Sequence, residues 1–595
     1  MSYPQLEERI RTTYAEKSSA MLVRNLYDSY VRALRWASDR INERGIVGFV
    51  TNGSFIDGNN MDGLRASLEE EFSRIYIFNL RGNQRTAGEI SRMEGGKIFG
   101  AGSRASIAIS FFIKNPKKKG RCEIFYNDIG DYLDREKKLS ILRNFKSING
   151  INEEKKWNRI RPNSAHDWIN QRDPAFEAFT SLGDKKDEKA KTVFDLYSLG
   201  VVTARDKWCY NFSRSRISEN MGRMIGFYNE EVDRFTKTVN GKTKNEIEKM
   251  AETGINTKET MISWSVNLKK DLINLKKHQF LKTAIWTSAY RPFCKQVIYH
   301  NRDFNERVCQ LPKLFPKIGA ENLLICIDGR GSTKEFSILM TSNIPDMEFI
   351  SKGQCFPIFI YDKDQTNPKD LFVREQAGEM VDGYRRRSGI SDGILTDFRK
   401  AYGTRVSKED IFYYVYGILH SPEYRERFAS DLKKMIPRLP FTKEAKDFWS
   451  FSKAGRDLAH WHVNYETVDP FPLTEGSDEL VLDPKKHFLV QKMTFARKGK
   501  ETDKSRIVYN SHLTLSGIPL SAYDYVVNGR SAIEWVMERY KVTKDPASGI
   551  TNDPNDWSRE NKAPRYIVDL VKRVVRVSVE SMKIVSGLPA LNERV

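Results

Sequence analysis

Cysteine is scarce and scattered. Six occur in 595 residues, at 122, 209, 294, 309, 326 and 355, and no two form a C-x-x-C pair. That excludes a zinc ribbon and gives no disulfide framework, and it fits a reducing cytoplasm. Long apolar runs are also missing. None approaches the ~18 residues of a membrane span, and the longest, such as Ile107 to Ile113, suit buried strands. The first residues, MSYPQLEERIRTTYAEKSS, hold no apolar stretch of the secretory kind. Gly95-Gly96-Lys97 is followed by Ile98 rather than Ser or Thr, so no phosphate-cradling P-loop is present. No Gly-rich dinucleotide fingerprint follows an early strand. Pro345-Asp346 lacks the acidic residue and lysine that a nuclease would need. His460-Trp461-His462 could set two imidazoles on one side of a strand, but no third or fourth metal ligand is spaced nearby.

Positive charge is abundant. Lys plus Arg number 98 against 78 Asp plus Glu, a net charge of +20. Such an excess favours polyanions, with nucleic acid first among them. At roughly 150 residues per domain the length suggests about four units. Leu26, Tyr30, Leu34, Ala37 and Ile41 recur at helical spacing. Apolar strands are expected at Ile46–Val50, Ile75–Leu80 and Ile107–Ile113, with a helix at Leu64–Phe72 before the second. Strands so continuously apolar predict a mainly parallel sheet covered on both faces. Three strands and two helices are too few for that, so the piece reads as half of a doubly wound sheet, with the Ile46 strand left as an open apolar edge.

Beyond about residue 130 the texture changes to charged connector and mixed α+β segments. Thr236 to Thr260, with KTVNGK at Lys237 to Lys242, reads as a loop or weak helix. Ala289–Tyr299, Leu323–Ile327 and Phe356–Tyr361 read as strands or turns. From Ser407 the pattern turns helical, with Ile411, Tyr414, Val415, Ile418 and Leu419 on one face and continuation through Tyr424 to Met435. Further helices fit Ala532–Tyr540 and Tyr566–Val585.

Two stretches carry candidate contacts. In the Gly-rich loop from Arg81 to Arg104, Arg81, Asn83, Gln84, Arg85, Lys97 and Arg104 are donors for phosphates or bases, and the glycines permit close backbone approach. The alternative is a solvated loop. From Tyr290 to Arg307, aromatics interleave with Arg291, Arg302 and Arg307, a mixture suited to stacking and phosphate contact. A core turn with satisfied arginines fits equally. Arg385-Arg386-Arg387 and Lys433-Lys434 are basic clusters of the kind that usually forms a solvated face.

Several long segments, in order, carry a resemblance: NLRGNQRTAGE, EGGKIFGAGSRASIAI, YRPFCKQVIYHNRDFNERVCQLPKLFP, KEDIFYYVYGILHSPEYRERF and YDYVVNGRSAIEWVMERYKV. Over essentially its whole length the chain resembles the C-terminal part of single-polypeptide type ISP restriction-modification enzymes. The resemblance implies the second half of a gamma-class N6-adenine DNA methyltransferase sheet, Rossmann-like, at 1–130. It implies a connector or helical spacer at 131–235 and a large mixed α+β target-recognition domain at 236–595, helical near 407–460. Double-stranded DNA is the implied partner, and no membrane is. Phe112, with Phe111 as the alternative, aligns with an aromatic that stacks on an extruded adenine.

The complete family enzyme would use S-adenosylmethionine and an Asn-Pro-Pro-Tyr loop. This sequence has no Pro-Pro dipeptide, and its Asn-Pro and Asp-Pro pairs at 115, 173, 367, 469, 483, 545 and 553 are each followed by another residue. The expectation is a chain starting just past its own catalytic loop, binding no cofactor by itself, with no catalytic and no metal residue assigned. It would recognise DNA and support adenine methylation when joined to a missing N-terminal half. An active methyltransferase with a different site, and a module that dimerises through its open sheet edge, are the alternatives.

Overall fold

The alternation of apolar residues in the first third of the chain builds one sheet with helices on it. The structure, a computed structural model, describes residues 3–594 except 21–22, 87, 101–102, 188, 333, 364–377, 478–481 and 485, and only the backbone of residue 244. Ala101 and Gly102 of the Gly-rich loop, and the Asn367-Pro368 pair, lie outside the described residues. The chain divides into two units. The first comprises residues 1–177 with 331–335 and 427–435; the second comprises the rest.

In the first unit the elements run α1 (Pro4–Ile10), α2 (Ser29–Arg40), β1 (Gly45–Asn52), α3 (Asp62–Glu71), β2 (Arg74–Arg81), α4 (Gly88–Glu94), β3 (Ile107–Lys114), β4 (Glu123–Asp128), α5 (Arg135–Phe145), α6 (Ile148–Glu153) and β5 (Asn158–Ile160). The sheet order is β1-β3-β2-β4-β5. The three expected strands are present, but the expected parallel sheet is corrected. Only β2 and β4 run parallel; β1 with β3, β2 with β3 and β4 with β5 are antiparallel. A continuous apolar run reports burial on two faces, not the direction of the neighbouring strand. The unit also continues past the boundary drawn at 130, because β5 adds itself to β4.

One sheet face is fully covered. Val47, Ile75, Ile77, Ala108, Phe112 and Ile124 pack with Leu34, Leu64, Leu68 and Trp168 from the overlying segments. Arg35, 1% exposed, joins α2 to α3 through Glu71 at 2.6 and 2.9 Å. On the other face Phe78, Ile107 and Phe145 form a smaller core with Leu133, Ile141 and Trp157 packed on it. That cover does not reach β1, whose Ile46 and Val50 are 66% and 55% exposed. These residues share their face with Phe111, which lies opposite Gly48; a Cβ at Gly48 would meet the Phe111 ring at 3.2 Å.

The second unit is built from several small sheets and long helices. The strands Ile285–Arg291 and Cys294–Tyr299 form a hairpin flanked by Ile344–Pro345 and Tyr210–Asn211. Leu324–Ile327 is buried between Ile338–Thr341 and Gln354–Pro357. The stretch at 236–260, expected as a loop or weak helix, holds the end of a 26-residue helix, Arg214–Val239, and a second, Lys244–Thr253, started by the Thr243–Glu246 capping box. Ser407 and Asp410 form another capping box ahead of Lys408–Ile418. That helix crosses Ala445–Val463 at two glycines. A Cβ on Gly417 would fall 2.0 Å from the Phe451 carbonyl oxygen, and one on Gly455 would fall 1.9 Å from that of Tyr413. Only glycine permits backbones this close. The His460–His462 pair lies on the Ala445–Val463 helix, not on a strand, which corrects that expectation. His460 is exposed, and His462 is buried between Tyr416 Oη at 2.5 Å and Ser581 Oγ at 2.9 Å. Among the described residues no helix is long and apolar enough to cross a membrane.

Candidate nucleic-acid interface

The Gly-rich loop is folded onto its own unit. Arg81 leaves β2 at φ 54°, and its guanidinium is held by Asp128 at 2.6 Å and by Asp131. The Asn83 side-chain oxygen accepts from the Arg85 amide at 3.0 Å, closing a turn. Gln84 donates to the Gly95 carbonyl at 3.0 Å. The fully buried Lys138 donates to the carbonyls of Glu94 and Gly96 at 2.7 and 2.9 Å. Burial lowers its pKa. The close approach that the glycines allow is made within the chain: a Cβ at Gly95 would meet the Leu133 carbonyl oxygen at 2.1 Å, and one at Gly96 the Arg135 amide at 2.7 Å. Arg81, Asn83 and Gln84 therefore shape the loop. Arg85, Phe99 and Arg104 are exposed on it and Lys97 is partly so; Arg104 reaches back to the Gln84 carbonyl at 3.1 Å. Gly100 has open space where a side chain would stand.

The Tyr290–Arg307 stretch divides in the same way. Phe293, Tyr299 and Phe304 are core residues. Arg291 is 14% exposed at its side chain and pairs with Asp346 at 2.6 Å and Asp206 at 3.5 Å, its guanidinium stacked 3.9 Å over the Tyr290 ring. Burial raises the Asp346 pKa to about 6 against the attraction of Arg291. Arg302 and Arg307 are exposed. The clusters behave likewise: Arg386 pairs with Glu379 at 2.7 Å, Arg387 with Asp195 and Asp362, and Lys434 with Asp57 and Asp167.

Phe112 is fully buried, its ring 6.3 Å from Phe55 and 5.5 Å from Phe72, so no ring face is open to a base. Phe111 is the ring on the partly open face. Anion-binding amides at the start of the Arg214–Val239 helix are also taken internally. The Glu560 carboxylate accepts from Ser213 Oγ at 2.6 Å, from the amides of Arg214 and Ser215 at 2.9 and 3.2 Å, and from Ser215 Oγ. Asp271, His278 and Asp303 converge as metal ligands could, but the Lys276 ammonium already sits 3.5 and 2.7 Å from the two carboxylates.

Among the described residues, the ends of β1 and β2 do not offer a fit for S-adenosylmethionine. Where β1 ends, the Asn52 side chain is engaged by the Ser54 amide and hydroxyl at 3.0 and 2.7 Å, and where β2 ends Arg81 is held by two aspartates. Both of these side chains are engaged within the chain, and no methyl-transfer step is assigned to these residues.

Several small sheets in two units, a strong positive charge and exposed cations on both sets of loops describe a mixed α/β protein with a basic surface. Residues 192–570 match the family described as the type ISP C-terminal specificity domain. The chain belongs to the type ISP restriction-modification family, and its residues 192–570 are the part that matches the specificity domain. It is similar over 100% of its length to a nuclease-deletion mutant of the type ISP enzyme LlaGI, solved with a DNA substrate mimic, at 39% identity and a TM-score of 0.85, covering 51% of that chain. It is similar over the same span to the ATP-dependent type ISP enzyme LlaBIII bound to DNA, at 34% identity and TM-score 0.85, covering 36% of that chain. The DrdV–DNA complex matches at 31% identity and TM-score 0.81, with 55% of that chain covered. The chain thus spans between about a third and just over half of these relatives. No curated protein matches it.

Proposed function

We propose that this chain recognises a DNA target for a type ISP enzyme and supports site-specific adenine-N6 methylation together with an N-terminal half that supplies the cofactor and Asn-Pro-Pro-Tyr loops. The end-to-end likeness to relatives solved with DNA carries this reading. The net charge of +20 supports it. The five-stranded sheet is the second half of the methyltransferase sheet. The bare part of its face, at Ile46, Val50 and Phe111, is where the first half packs. Phosphates are met by the exposed cations Arg85, Lys97 and Arg104 on one loop and by Arg302 and Arg307 on another. Arg81, Asn83, Gln84 and Arg291 act by holding those loops in shape. Phosphate contacts supply affinity, and base-edge contacts supply sequence choice.

The test is duplex-DNA binding by the purified chain across a salt series, with methyl transfer from S-adenosylmethionine measured in parallel. Affinity should fall steeply with salt. Methylation should be absent for the chain alone and appear when the N-terminal half of a relative is added. A flat salt response, or labelling by the chain alone, overturns the reading.

A further inference from the structure

Within the second unit, the strands Thr494–Lys498 and Glu501–Val508 form a hairpin at the edge of a four-stranded sheet. The sheet supports only its base: the third strand, Thr514–Ser516, pairs with Arg506, Ile507 and Val508 and goes no further. Beyond that the register jumps. Phe495 lies opposite Ile507, but the next residue, Ala496, lies opposite Asp503. Residues Lys504, Ser505 and Arg506 are the excess on one strand, a bulge that re-aims the ribbon. From Ala496 to Asp503 the hairpin is two strands alone, closed by Gly499 at φ 65° and Lys500. Gly at the first of two turn positions with positive φ is what a tight hairpin turn with matching twist uses.

The arm is fixed at its base. Tyr523 Oη donates to the Lys504 carbonyl at 2.7 Å, and the Phe495 and Tyr523 rings meet edge to face at 5.8 Å. The Lys504 ammonium lies over both rings and pairs with Glu534 at 3.2 Å. Ser505 donates its amide and hydroxyl to Asp503 at 3.0 and 2.6 Å, which holds that carboxyl below its ordinary range and pins the bulge.

The projecting part carries Arg497, Lys498 and Lys500, with Arg506 beside it, all exposed. Arg497 shares a ribbon face with Thr502, with no carboxylate opposite; Lys498 shares the other with Glu501. This differs from the arginines of the Tyr384–Ser388 strand, whose Arg386 and Arg387 are bound to acidic neighbours. Three residues of strand reach about 10 Å, and a two-stranded ribbon fits the major groove, about 12 Å wide and 8.5 Å deep.

Resting on the DNA-recognition reading above, we propose that the Thr494–Val508 hairpin is a preformed arm that enters the major groove of duplex DNA, with Arg497, Lys498 and Lys500 meeting phosphates and base edges at its tip. The test compares the intact chain with the triple variant Arg497→Ala/Lys498→Ala/Lys500→Ala, using a fluorescent DNA duplex across a salt series. Far-UV circular dichroism and the thermal midpoint serve as the folding control. The expected result is an unchanged midpoint, at least about tenfold weaker binding at low salt, and a slope of log affinity against log salt reduced by about 2 to 3, one cation at a time. A second arm places a photo-crosslinker at Lys498→Cys, which should label the duplex. Unchanged affinity and slope with no crosslink overturn the arm while leaving the DNA reading intact. Failure of the unaltered chain to bind duplex overturns both. Retained duplex binding with a crosslink to added single-stranded RNA instead would assign the arm to that partner and overturn the proposal.

Discussion

The sheet of the first unit and the sheets at the heart of the second obey different rules. In the second unit Leu324–Ile327, Ile338–Thr341 and Gln354–Pro357 are buried at every position. In the first, β1 alternates, with Val47 buried and Ile46 and Val50 open to solvent. The first kind of strand spends all its apolar surface on its own fold. The second leaves some unspent at an edge, where natural sheets usually place charge or a cover. The comparison shows central strands of the second unit buried at every position, while the edge strand of the first leaves apolar surface open to solvent.

The sharpest way to break that contrast is through the glycines. Gly455→Ala should cost about 3 kcal/mol, because the new methyl meets a backbone carbonyl that cannot yield without separating two helices. Gly48→Ala should cost under about 1 kcal/mol, since the atom it meets belongs to the Phe111 ring, which can turn. Urea unfolding followed by circular dichroism measures both, and equal losses would break the contrast.

Acid should reveal the next difference. Burial lowers the His462 pKa to about 3 and that of His300 to about 4, and holds His420 well below its ordinary value. All three lie in the second unit. Because these folded-state values lie below the unfolded one of about 6.5, the unfolded chain binds the protons first. Their contribution is complete above that pH and is lost as pH falls toward the folded values. His462 and His300 should each cost about 2 kcal/mol between pH 7 and pH 5, and His420 acts in the same direction. Asp346, with its pKa raised to about 6, acts in the opposite sense, adding stability as pH drops through that value. The first unit holds a single histidine, His166, paired with Glu69 at 2.9 Å. Replacing His462 by Phe should reduce the loss of urea stability between pH 7 and pH 5; an unchanged loss would show that the acid sensitivity lies elsewhere.

The smallest effect on folding belongs to the open edge. Ile46→Thr with Val50→Thr should change stability by no more than about 0.5 kcal/mol. The same pair should weaken association with an added N-terminal half, read by co-elution. A large stability loss would mean that the edge is part of the unit's own core.

Strongly periodic elements were legible in the sequence. The three apolar strands, the helices after Ser407 and Ser531, and the final helix lie within a few residues of where spacing put them. β4 and β5 were not legible, because Glu123–Asp128 mixes polar with apolar residues and Asn158–Ile160 is three residues long. The roles of the arginines were legible only as a set. Arg81 and Arg85 stand four residues apart in one loop, and nothing local says that the first meets Asp128 and Asp131. Arg291 and Arg307 differ in the same way, since Asp346 reaches the first from a distant strand. The exposed hairpin at Thr494–Val508 was not read from the sequence, because its turn is marked only by the Gly499-Lys500 pair and its strands mix charged with apolar residues.

Glu560 gives the longest helix an anion of its own. Its carboxylate sits where a phosphate oxygen would otherwise settle, like a key left in a lock. The first turn of that helix is thereby satisfied inside the chain and closed to an outside anion.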